Sequence, residues 1–155
     1  MLPLAAVWYL QDLLQVTFSG RFLVPDLFFL LVVFRLAVVT RDVSSIVWPA
    51  FFGGLLWDLR WTALPGLTAA AYAFSAAVCA LAWNHIPDSG RTPRLFLILA
   101  ICGHLFIGIA RFMAWGEGRS DLFGIFALQQ LTALPVVLVA FMFVSARSAE
   151  SDVKR

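Results

Sequence analysis

The chain reads as an all-α integral membrane protein, a six-transmembrane-helix bundle, on three observations. Hydrophobic residues make up 62% of its 155 positions and charged ones 13%, about half the charge of an ordinary soluble domain. Mean hydropathy is +0.91. Six apolar segments, over residues 2–19, 25–39, 45–59, 65–83, 94–115 and 122–145, are divided by short polar breaks. The length suits a single transmembrane domain, residues 1–155, ending in a short charged tail.

The first segment opens with Met1-Leu2-Pro3-Leu4, without the basic stretch or cleavage site of a secretory signal. It is read as a retained span. The second opens with Pro25-Asp26, where a proline at the first helical position and an early acid suit a helix N-terminus. The second and third segments hold roughly 15 residues each, about 22 Å of helix, against a hydrocarbon core of about 30 Å. Flanking Phe22-Leu23-Val24 must dip in, or the bilayer must thin. The third segment closes on Gly53-Gly54-Leu55-Leu56-Trp57-Asp58, and Leu64-Pro65-Gly66-Leu67 opens the fourth. Ala69, Ala73, Ala76, Ala77 and Ala80 then fall on one helix face, which suits close packing within the bundle or a homodimer seam. Gly103 and Gly108 do the same for the fifth segment. Pro135 is expected to kink the sixth.

Arginine and lysine set the expected orientation. With the N-terminus inside, Arg41, Arg91, Arg94, Arg147, Lys154 and Arg155 face the cytoplasm, and Arg21, Arg60 and Arg119 face outward. Six against three places both termini in the cytoplasm. Trp48 and Trp83 then fall near the inner interface, and Trp57, Trp61 and Trp115 near the outer one, as an aromatic belt.

Charges inside spans are costly, so their depths matter. Helix rise puts Asp26 and Asp58 near the outer surface, with Arg111 at the same level, roughly 27 Å up its segment. Arg35 lies only about 7 Å from the inner end of its span, and Asp12 roughly mid-membrane. Arg111 is therefore expected to neutralise Asp58 or Asp26. Arg35 is expected to snorkel inward or reach Asp12, and not to meet Asp58. His104 and Gln129 or Gln130 come out near the midplane and are expected to join the fifth and sixth segments by a hydrogen bond.

Little else in the chain carries chemistry. There is no HExxH, no acidic cluster with metal-ligand spacing and no glycine-rich phosphate loop. Ser75 and His104 could be imagined as a dyad, but Ser75 lacks a glycine-flanked nucleophile setting. Cys79 and Cys102 sit in apolar runs and read as small hydrophobes. A formal charge of +2 without a basic patch argues against nucleic acid. The expectation is a non-enzymatic protein with no metal or cofactor.

Pro25-Asp26-Leu27 at the start of one span, Gly53-Gly54-Leu55-Leu56-Trp57-Asp58 at the end of the next, and Leu64-Pro65-Gly66-Leu67 opening the fourth resemble the MreD family of rod-shape-determining proteins. The motifs cover roughly residues 22 to 75, and the second half of the chain matches only in hydropathy. Trp57 departs from the aliphatic residue usual before the aspartate. The resemblance implies an inner-membrane subunit of the bacterial elongation machinery. Its partner would be MreC, a single-span protein, and it would work with RodA, a penicillin-binding transpeptidase and, indirectly, MreB in peptidoglycan synthesis. It also implies a fold similar to the S components of energy-coupling-factor transporters. Asp26, Gly53, Gly54, Asp58, Pro65 and Gly66 would be the family positions, the glycines for close helix approach and the aspartates for partner contact or internal pairing. The alternative is a genuine S component binding a small vitamin. Against it, Ala5 and Ala6 are followed four residues on by Tyr9 and Leu10, which breaks the Ala-x-x-x-Ala docking pattern.

Overall fold

The computed structural model describes residues 2–18, 24–39, 42–62, 64–87, 90–115 and 122–153. Five of the cations counted for orientation, Arg21, Arg41, Arg119, Lys154 and Arg155, lie outside the described residues, as do Phe22, Leu23 and the Trp115 side chain. The described residues form six helices and no strand: α1 (Leu2–Thr17), α2 (Leu27–Val38), α3 (Ser44–Trp61), α4 (Leu67–His85), α5 (Pro93–Trp115) and α6 (Leu122–Val153). Three are long and apolar enough to cross a membrane, over Leu67–His85, Pro93–Met113 and Phe126–Ala149. Pro135 sits inside α6, which continues through it.

The shortest helix is the hub. α2 is apolar around nearly its whole circumference, with Phe28, Phe29, Leu30, Val32, Val33 and Leu36 buried. A helix apolar on all sides belongs in an interior, and α2 packs against each of the other five. Around it α3 packs on α4, α4 on α5, and α5 on α6. α1 lies along α2, and Trp8 Nε1 donates to the Gly53 carbonyl of α3 at 3.1 Å. At 12 residues α2 is about 18 Å long, shorter than the sequence suggested, because it begins after Asp26 and not at Pro25.

The tightest seam joins α3 and α4. Gly54 makes it possible, since a Cβ there would stand 2.7 Å from the Ala69 Cα and 2.8 Å from the Thr68 carbonyl oxygen, both backbone atoms. Ala69, Ala76 and Ala80 are fully buried and Ala73 and Ala77 half-buried, so the alanine ridge faces the bundle. Gly103 gives room to the Phe29 ring in the same way.

Side chains serve several of the described helix ends. Asp42 accepts from the Ser44 and Ser45 amides at the start of α3. The Ser44 hydroxyl beside it holds this exposed carboxyl below its ordinary value. A lowered carboxylate adds stability above its unfolded-state pKa and loses it as pH falls through the folded value, so this cap weakens in acid.

Candidate functional site

The candidate site is a buried polar network where the start of α2 meets α1, α4, α5 and α6. Asp26 is 1% exposed and Arg111 4%, so both charges lie inside the bundle. Arg111 Nη1 donates to Asp26 Oδ1 at 2.7 Å. Tyr72 donates its hydroxyl to the same oxygen at 2.7 Å and accepts from Arg111 Nη2 at 3.1 Å. The guanidinium lies over the rings of both Trp57 and Tyr72, 5.4 and 5.5 Å from their centroids. The three groups close a ring of charge-assisted bonds in a dry setting, where such bonds are strongest.

A second layer orients the first. Asp26 occupies the N-cap position of α2, yet its side chain does not cap that helix. The backbone is served from elsewhere. Gln11 of α1 accepts from the Phe28 amide at 2.8 Å, and His104 of α5 accepts from the Asp26 amide at 3.2 Å. Gln129 of α6 donates to the Val24 carbonyl at 3.2 Å. An amide can only donate, so His104 Nε2 is the acceptor in this bond, and Nδ1 faces Gln130 Oε1 at 2.8 Å. Relieved of capping, the Asp26 carboxylate is free for Arg111.

Arg111 thus pairs with Asp26, one of the two carboxylates expected for it. Asp58 has a different role. Its Oδ2 accepts from the amides of Gly66, Thr68 and Ala69 at 2.9, 2.8 and 3.1 Å, and Oδ1 accepts from the Thr62 hydroxyl. These are amides of the first turn of α4, so a carboxylate at the end of α3 caps the next helix at its positive end. Pro65 does not open α4 as expected. With Gly66 it forms the centre of a turn closed by the Leu67 amide on the Leu64 carbonyl at 3.4 Å. Gly66 has φ +98° and ψ −15°, the type II geometry that calls for glycine.

Two expectations about the remaining charges are corrected. Asp12 is not a partner of Arg35, because Arg60 Nε and Trp61 Nε1 donate to it at 3.1 and 2.8 Å. The adjoining Gln11 contacts Phe28, so Asp12 stands level with the start of α2. Arg35 is seven residues further along, about 10 Å away. It lies half-buried in the last turn of α2, where a cation suits the carbonyl end. Trp57 is 2% exposed and belongs to the network. Trp83 is also buried, at 5%.

Chemically the network can hold charge and fix helices. Both nitrogens of His104 are engaged, and among the described residues the Ser75 hydroxyl has no hydrogen-bond partner, so the imagined dyad is not assembled. No group of three or more metal-ligating side chains occurs among the described residues. Sequence reading overlooked Tyr72, Gln11 and the backbone role of His104. A tyrosine within an alanine-rich helix was the available signal for the first. No family model, curated protein or solved structure matches the chain.

Proposed function

We propose that this chain is a non-enzymatic subunit of the bacterial cell-elongation complex. It lies in the inner membrane with all six helices spanning and both termini cytoplasmic. It partners an MreC-like single-span protein and supports peptidoglycan synthesis alongside RodA and a penicillin-binding transpeptidase. One observation carries the reading. Two of the three stretches that resemble the MreD motifs form a single physical unit: Gly54 admits the α4 backbone, Asp58 caps α4, and Pro65-Gly66 turns the chain between them. Gly53 joins the unit to α1 and α2, through the Trp8 indole and the Phe28 ring.

The test is purification of the tagged chain from its own cells in mild detergent. Recovery of an MreC-like coiled-coil protein, together with loss of rod shape on depletion, is the expected result. Co-purification of a vitamin or of a transporter ATPase instead overturns the proposal in favour of an S component.

A further inference from the structure

The buried network serves the two oxygens of Asp26 unequally. Oδ1 takes both the Arg111 guanidinium and the Tyr72 hydroxyl. Oδ2 is buried and has no hydrogen-bond partner among the described residues. Facing it, 3.9 Å away, is Nε2 of His104, itself buried. That nitrogen accepts the Asp26 amide at 3.2 Å. Two acceptors thus face each other in a dry setting, an arrangement that one proton between them satisfies.

The imidazole is built to take that proton. Gln130 Oε1 can only accept, so Nδ1 is the donor in its 2.8 Å bond, and the ring is held by its far edge. A proton gained at Nε2 then lies toward Asp26. Nε2 can no longer accept, so the Asp26 amide is released while Nε2–H donates to Oδ2. One proton comes from water, one hydrogen bond replaces another, and no bond between heavy atoms changes. Groups from every side bear on the exchange. The Asp26 carboxylate of α2 favours it, and Arg111 of α5 opposes it while paired to that carboxylate. α4 brings Tyr72, bonded to Asp26, and the Cys79 thiol beside Gly103. Gln11 of α1, Trp57 of α3, and Gln129 and Gln130 of α6 are uncharged. We infer that His104 Nε2 and Asp26 Oδ2 form a proton-binding site that moves the tie at the start of α2 from backbone to carboxylate. Since α2 packs against all five other helices, a change at its start reaches the whole bundle.

The test uses the full-length chain in detergent micelles, without a histidine tag and with His85→Gln. His85 is exposed at the end of α4, and His104 is then the single histidine. Nitrogen NMR of the labelled imidazole is followed from about pH 8 to about pH 5, where imidazole ordinarily changes charge. A bare Nε2 is expected at the alkaline end and protons on both nitrogens at the acid end. Exchange of the Asp26 amide with solvent, corrected for its intrinsic rate, should rise several-fold over the same interval. In His104→Gln, whose carbonyl can still accept that amide, the corrected exchange should stay flat. A proton already on Nε2 at the alkaline end overturns the site, as does a ring that never charges while the protein stays folded. Amide exchange that ignores the ring, or rises equally in His104→Gln, overturns it too. A carboxylic-acid band appearing in infrared difference spectra in step with the amide's release would put the proton on Asp26 instead. The ring and amide readings come from the parent protein, so an unstable His104→Gln leaves them decisive.

Discussion

At the scale of single residues, the Asp26–Arg111 pair is the most exacting feature. Two opposite charges buried together are tolerable, but one left alone costs about 3–5 kcal/mol. Arg111→Met and Asp26→Asn should each lower thermal stability in detergent strongly. The double variant should cost clearly less than the sum, because it leaves no buried charge. Strict additivity would show that the contact carries no energy. Asp58 should behave differently, since its partners are three backbone amides and a hydroxyl. Asp58→Ala strands donors worth about 1–3 kcal/mol each when buried, and no charge reversal elsewhere can replace it. A compensating Arg111 variant that restored Asp58→Ala would refute the capping role. Helix depth alone made the first pairing legible, because rise per residue brings Arg111 level with Asp26. The cap was not legible in that way. Its acceptor and donors are 8 to 11 residues apart, and only the turn at Pro65-Gly66 brings them together. Asp12 was misplaced because its level follows the contact of Gln11 with α2, which no count along α1 contains.

Among the elements, α3 and α4 behave as one hairpin, and the two adjacent glycines should respond unequally to a methyl group. At Gly54 a Cβ runs into the Ala69 and Thr68 backbone, which cannot move without parting the helices. Overpacking of this kind costs about 1–3 kcal/mol or more. At Gly53 the obstruction is the far end of one side chain, the Phe28 ring, which can shift without parting two backbones. Gly54→Ala should therefore lower the melting temperature more than Gly53→Ala. The reverse order would mean that the seam is looser than drawn. Composition made the hairpin visible as two glycines before a polar end, without saying which one touches backbone. The six helices were likewise visible as apolar runs, but not that the shortest of them is central. That position comes from α2 lacking a polar face, whereas α1 buries Gln11 and Gln15 and exposes Leu10 and Leu13.

For the whole molecule, the arrangement is a short apolar core helix with its polar ties gathered at one end. Under the proposed topology that end is the outer one, and the positive-inside count then assigns the C-terminus to the cytoplasm. A fluorescent protein fused after Arg155 should fluoresce, and alkaline phosphatase fused there should be inactive. Active phosphatase would invert the topology and put the buried network at the cytoplasmic side.

α4 is held at its two ends by opposite ions. Asp58 serves its first amides, and Arg91 donates to the carbonyls of Trp83 and Asn84 at 2.9 and 3.3 Å. During synthesis these arrive in a fixed order. The carboxylate leaves the ribosome before the helix it starts, and the guanidinium follows the helix it ends. The anchor for the start of α4 is therefore already made when α4 emerges, and the one for its end is made only after it. A chain truncated before Arg91 would present α4 to the insertion machinery with its tail unsealed, and protease trimming of stalled intermediates should map its protected end several residues short of His85.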